Sequence, residues 1–232
     1  HGFLYTKRIN CHRFFYIFSW RYIHIMGIYV LAITGASGSR YASLLANRIV
    51  TNGHKLNVVM SDSGRKVIEE EESISLSGDI KLDRAPFLEW IGVTEDSSEV
   101  QLIDQRNVGA SIASGSFQHN GMVVVPCSGG TLGKISNGIS SNVIDRAALV
   151  CLKERRKIIL VTRETPLGLI DIENMRKATE AGAVLMPASP GFYHKPETIH
   201  DLISFLVDRI LDHLGIETQT HVRWVGKKDR NR

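Results

Sequence analysis

The sequence predicts an α/β fold: a single doubly wound, Rossmann- or flavodoxin-like domain around a mostly parallel sheet. Three observations predict it. Short runs that are apolar throughout recur along the chain, as "IYVLAIT" (28–34), "MVVVPC" (122–127) and "KIILVT" (157–162). Between them lie segments whose apolar residues fall at helical spacing. Turns rich in glycine and hydroxyl residues join strand to helix. Strands without polar alternation are buried on both faces, which is the mark of a parallel sheet with helices on either side.

The elements follow in order. After "IYVLAIT", residues 40–51 read as an amphipathic helix. Residues 56–60 read as a second strand, followed by a helix through "SGRKVIEEEE" (63–72). The stretch 73–100 is weakly patterned, with "FLEWIG" (87–92) as its one strong apolar island. "MVVVPC" is a further strand, and "NVIDRAALVCLKERR" (142–156) a helix leading into "KIILVT". The helix "DIENMRKATEAG" (171–182) and the short strand "AVLMPA" (183–188) come next. The last helix, within residues 196–215, stops at Gly215, as helices often do.

At 232 residues the chain suits one domain that buries a full core without disulfide staples. Residues 1–25 stand apart: they crowd aromatics among basic residues and contain no acid. The expected division is therefore a 1–25 extension, a 26–226 folded domain and a charged 227–232 tail. The extension reads either as a gene-calling or cloning addition ahead of Met26 or as a presequence. The rest of the chain carries 24 basic and 24 acidic side chains, so no basic face for nucleic acid is expected. No run is long enough to span a bilayer. Three cysteines without metal-ligand spacing fit a reducing compartment. The expected address is cytoplasmic, or mitochondrial if residues 1–25 are a presequence. Cys127 and Cys151, set in apolar runs, read as buried hydrophobes.

In doubly wound sheets, ligands sit beyond the carboxyl ends of the strands. Five segments fall there: "TGASGS", "SDSGR", "PCSGGT", "TRETPLG" and "PASPGFYHKP". "TGASGS" is either a tight turn with Ser37 or Ser39 capping the helix, or a cradle of backbone N–H groups for a phosphate or flavin. "PCSGGT" repeats the recipe at a second strand end, and two such cradles suit a phosphorylated cofactor. Ser61 ends another strand and is equally an N-cap. Arg163 and Glu164 follow an apolar strand directly; they are a surface pair, or a phosphate-binding cation with a proton-exchanging carboxylate. Taken locally, Lys153 reads as a solvated helix end, Glu71 as part of a solvated acidic face, Arg209 as a surface cation and Tyr193 as a loop anchor. No Gly-x-x-x-x-Gly-Lys-Ser/Thr loop and no His-Glu-x-x-His or Cys-x-x-Cys pair appears, which argues against an NTPase and a protein-held transition metal.

Taken together, "ITGASGS", "IASGSF" (112–117), "GMVVVPCSGGTL", "RAALVCLKERRKIILVTRETPL", "ENM" and "PASPGFYHKP" resemble, in order, the flavin prenyltransferases of the UbiX type, long labelled aromatic-acid decarboxylases. The resemblance runs from about Met26 to Trp224. It implies transfer of a dimethylallyl group from dimethylallyl monophosphate to N5 and C6 of reduced FMN, without a metal. The product would serve a separate UbiD-type decarboxylase. The resemblance implies FMN contacts at Gly35, Ala36, Ser37, Ser61, Ser128, Gly129, Gly130, Thr131 and Arg163. It implies a prenyl-phosphate site of Lys153, Arg163, Tyr193 and Arg209, with Tyr193 and Arg209 supplied by a neighbouring subunit. Ser37, Glu71, Glu164 and Trp224 take catalytic roles in this reading: proton movement near N5 for Ser37, proton exchange near the phosphate for Glu164, and cation–π stabilisation of the allyl fragment for Trp224. A homo-oligomer of trimers, up to a dodecamer, is implied as well. One departure is Val108, where some members place a tryptophan; it bears on the prenyl pocket.

Two rivals share the fold. A cysteine decarboxylase of the phosphopantothenoylcysteine type would carry a histidine near the first helix, and residues 35–50 contain none. A non-catalytic flavin carrier would need the two cradles but not the cationic set. A third reading, direct FMN-dependent decarboxylation of an aromatic acid, predicts carbon dioxide release by this chain alone.

Overall fold

The structure is a computed structural model that describes residues 26–95 and 97–217. Trp224, the 1–25 extension and the 227–232 tail lie outside the described residues. Six strands form one sheet: β1 (Ile28–Ile33), β2 (Lys55–Met60), β3 (Val100–Ile103), β4 (Gly121–Cys127), β5 (Ile158–Thr162) and β6 (Val184–Leu185). Their spatial order is β3-β2-β1-β4-β5-β6, and every pairing is parallel. The order reverses between β1 and β4, so the crevice for a ligand opens beyond the carboxyl ends of those two strands.

Alternate residues of each strand serve opposite faces. Leu31 and Ile33 of β1 join one core with helices α1 (Ser39–Thr51), α3 (Arg84–Trp90) and α7 (Ile199–Leu214). Val30 and Ala32 face the other core, built with α4 (Gly129–Ser136), α5 (Val143–Lys153) and Ala178 of α6 (Leu169–Glu180). Helix α2 (Asp62–Glu72) sends Ile68 into the first core. Across the α1–α7 seam the Arg48 guanidinium of α1 binds Asp208 of α7, with side chains 15% and 12% exposed, and also donates to Ser204 Oγ at 3.2 Å.

The doubly wound architecture agrees with the sequence reading. Two elements differ in detail. The weakly patterned 73–100 stretch contains α3 and the start of an edge strand, β3. As an edge strand, β3 is short and exposes Gln101, so its composition carries less signal than the unbroken apolar runs of the central strands. The strand expected across 183–188 pairs only at Val184 and Leu185, with Met186 and Ala188 continuing beside β5 through backbone bonds to Leu160 and Thr162. Among the described residues no helix is long and apolar enough to cross a membrane.

Candidate functional site

Four strand ends are stitched into one rim. Thr34, just past β1, donates its hydroxyl to Pro126 O (2.8 Å) and accepts from Ser128 N (2.9 Å), binding the first turn to the second. Ser61 N donates to Ile33 O at 3.0 Å, bringing the end of β2 alongside. Cys127 pairs with Thr162, which sets Arg163 beside Ser128. The turns packed here leave no room for side chains at two glycines. A Cβ on Gly35 would lie 2.5 Å from Ser63 Cβ, and one on Gly64 the same distance from Ile33 O. Gly35, Ala36, Ser37, Ser61, Ser128, Gly129, Gly130, Thr131 and Arg163 are thereby gathered on one crevice.

The first turn is held differently from either local expectation. The N-cap of α1 is Gly38, at φ +113, and no side chain of the turn caps the helix. Glu71 of α2 does so from outside. Its carboxylate accepts from Gly38 N (3.0 and 3.1 Å), Ser39 N (2.8 Å) and Ser39 Oγ (2.7 Å). Partial burial pushes the Glu71 carboxyl up, but hydrogen bonds from Ser37, Ser39 and the Gly38 and Ser39 amides outweigh it, leaving its pKa lowered. A carboxylate at a helix N-terminus is favoured by the same donors. Two corrections follow. Glu71 is no solvated face of an acidic run. Nor are the amides of Gly38 and Ser39 a vacant phosphate cradle, because Glu71 already occupies them.

The second turn keeps its donors. Ser61 and Ser128 are true N-caps: their Oγ atoms accept from Gly64 N (2.9 Å) and Thr131 N (3.3 Å). Ser128 Oγ also donates to Thr131 Oγ1 at 3.1 Å. Nothing lies within 4 Å of a Cβ built on Gly130, so open space fronts this helix start. Arg163 Nε is buried without a hydrogen-bond partner, and no ion pair neutralises its guanidinium among the described residues. A Cβ on Gly129 would stand 3.3 Å from Asp171 Oδ1 and 3.6 Å from Glu164 Oε2. Two carboxylates therefore border this helix start, and the partly buried Arg163 follows the neighbouring strand. Asp171 also accepts from Gly168 N at 2.9 Å, closing the "TPLG" turn that carries Glu164. Sequence reasoning missed Asp171 and Ser63; the spacing of Gly168 to Asp171 at a helix start was the available signal for the first.

The remaining cations lie elsewhere in the chain. Lys153 is the last residue of α5, at the amino end of the sheet, and pairs with Glu154 at 3.6 Å. Beside it, Arg156 donates to Gly115 O and, at 2.6 Å, to Phe117 O. The "IASGSF" and "LKERR" segments thus form one cluster at the pole opposite the cradles. Arg209 lies on the lower half of α7, more than half exposed and 3.5 Å from Asp212; the helix ends where Lys157 donates to His213 O. Tyr193 rises from the loop after β6, on the cradle side, with its ring edge-on to Phe205 at 5.5 Å. Within one chain, then, the structure does not bring Lys153 and Arg209 to Arg163. Cys127 and Cys151 are buried, and burial pushes each thiol up to about 12, against the pull of Arg156 in the case of Cys151. They are inert here, as the sequence suggested.

Comparison with known proteins fits this geometry. The Flavoprotein family model matches residues 26–211. Flavin prenyltransferase UbiX of Halalkalibacterium halodurans is 41% identical over 205 residues, covering 88% of this chain and 97% of its own length. The Pseudomonas aeruginosa protein of the same name is 40% identical, with 84% and 92% covered. Among solved structures, AnUbiX (PadA1) in complex with FMN and dimethylallyl pyrophosphate superposes with a TM-score of 0.76 at 34% identity, covering 87% of this chain and 98% of that one. A dodecameric FMN-dependent UbiX-like decarboxylase from Escherichia coli O157:H7 gives 0.74 at 33% identity, with 86% and 100% covered. A close-packed glycine turn at the β1 end, an open helix start at the β4 end, an arginine at the neighbouring β5 end with no ion pair among the described residues and this degree of likeness lead to one assignment: the chain belongs to the Flavoprotein family and, within it, to the flavin prenyltransferases of the UbiX type.

Proposed function

We propose that the protein transfers a dimethylallyl group from dimethylallyl monophosphate to reduced FMN, making prenylated FMN for a UbiD-type decarboxylase. The observation that carries the reading is the buried, unpartnered Nε of Arg163 beside the Ser128–Thr131 turn. A cation with a buried, unpartnered Nε, near hydroxyls and helix amides, suits a phosphorylated flat ligand and the phosphate that leaves an allyl group.

The residues fit FMN. Ser128, Gly129, Gly130 and Thr131 offer a helix start with open space before it, and Ser61 and Ser63 add hydroxyls from the β2 end. Gly35 lets the Ser61–Ser63 turn close on the first turn, which brings their hydroxyls alongside it. Reduced FMN supplies the electron-rich ring atoms, N5 and C6, to which the prenyl unit is joined. The protein's own part is positioning and proton handling. Glu71 fixes the "GASGS" turn and accepts a hydrogen bond from Ser37, so that the hydroxyl is aimed and can move a proton at the ligand's edge. Glu164, on the rim beside Gly129, is placed to take a proton near the departing phosphate. Trp224 is assigned the stabilisation of the allyl cation.

Lys153 and Arg209 stand at the wrong pole to reach the Arg163 crevice of their own chain. They complete the phosphate site only if another copy presents that pole to the crevice, which supports a homo-oligomer with shared sites, trimer-based and up to a dodecamer. Tyr193 joins the same site. A cytoplasmic address suits the neutral body of the chain and its free cysteines. The test is anaerobic incubation with reduced FMN and dimethylallyl monophosphate, followed by the mass of the extracted flavin. A gain of one five-carbon prenyl unit is expected; unmodified FMN, bound but unchanged, would instead indicate a carrier.

A further inference from the structure

The loop between β6 and α7 holds, next to Tyr193, a polar ring that the site described above leaves idle. The imidazole of His194 lies flat on Phe205 of α7, with centroids 5.0 Å apart and planes 3° from parallel. Tyr193 meets it edge-on at 5.8 Å. Both His194 nitrogens are closed off from solvent, and neither has a hydrogen-bond partner among the described residues. A neutral imidazole carries one donor and one acceptor, and burying both unpaired is destabilising. Phenylalanine would fill the same stack without that cost. The next residue, Lys195, sits at φ +56, a left-handed conformation that a lysine adopts only under constraint. One residue from Tyr193, the loop is held in a state that its own contacts leave unsatisfied.

We propose, on the basis of the function just given, that His194 is a phosphate-binding residue of the same subsite. When an organic monophosphate arrives beside Tyr193, the ring turns off the Phe205 face and donates an N–H to a phosphate oxygen. The apolar stack keeps the imidazole one residue from the site while the subsite is empty. The phosphate supplies the acceptor that the chain lacks, in a charge-assisted bond stronger than a neutral one.

The test uses the protein loaded with FMN kept oxidised, so that no transfer occurs, and measures dimethylallyl monophosphate binding by calorimetry beside thermal unfolding. His194→Phe should raise the Tm by about 2–4 °C and weaken dimethylallyl monophosphate binding about tenfold. His194→Asn, which retains a side-chain N–H, should recover most of that affinity. A His194→Phe variant that binds as tightly as the wild type overturns the proposal, and so does one that is less stable than the wild type. Loss of assembly size by light scattering in that variant would also overturn it, by assigning the nitrogens to a contact between copies. If the wild type itself fails to bind dimethylallyl monophosphate, the function reading fails first, and that outcome is distinct from the others.

Discussion

Glu71 reaches across from α2 to do what no residue of the first turn does, and the consequence is measurable in acid. Its carboxyl is held below the ordinary value of 4.5, so the stability it contributes is present above that value and is lost as the pH falls through its lowered pKa. The wild type should therefore lose Tm between about pH 5 and pH 3 more steeply than Glu71→Gln. At neutral pH Glu71→Gln should be less stable by about 1 kcal/mol, the worth of a helix cap. Thermal unfolding across pH checks both. The same residue shows why the site was only partly legible in the sequence. Gly35, Ser128 and Arg163 announce themselves by standing directly after apolar strands. Glu71 sits in a run of four acids, and nothing in that run says which one turns inward. Only tertiary packing of α2 against the "GASGS" turn selects it.

Elements were more legible than residues. The central strands β1, β4 and β5 are buried on both faces, and their unbroken apolar runs made them plain. Edge elements lose that contrast, so β3 and α3 were hidden in the weakly patterned 73–100 stretch, and β6 was drawn too long. The seam between α1 and α7 was invisible for another reason: it depends on a charged pair 160 residues apart in sequence. Arg48 and Asp208 are both mostly shielded there, and removing the Asp208 carboxylate leaves the shielded Arg48 guanidinium with Ser204 Oγ but without that counter-charge. Asp208→Asn should cost about 3 kcal/mol. Replacing both, as Arg48→Met with Asp208→Leu, should recover most of that loss, because apolar residues tolerate the seam as well as an ion pair does. Chemical denaturation of the single and double variants measures the difference.

At the scale of the whole molecule, the resemblance groups Lys153, Arg163, Tyr193 and Arg209 as one site, whereas the chain separates them. Spacing along a sequence carries no information about which end of a sheet a residue reaches in a neighbouring copy. The separation makes a prediction that a self-contained site would not. Arg163→Ala and Lys153→Ala chains should each be inactive alone, down by at least about a hundredfold, on the scale of an oxyanion donor's worth. Co-expressed, they should regain a measurable fraction of wild-type turnover, since some crevices would then combine an intact Arg163 with an intact Lys153. Absence of any recovery in mixed assemblies of confirmed composition would place all the working cations within one chain.

The opposite placement of the "LKERR" cluster and the strand-end turns has a further consequence for how activity scales with amount. If each working crevice needs two copies, the polypeptide is not the unit that turns over. Turnover per milligram should hold steady while assemblies persist and fall once dilution separates them. Added inactive chains would then either poison or rescue the remainder, according to which pole they have kept whole.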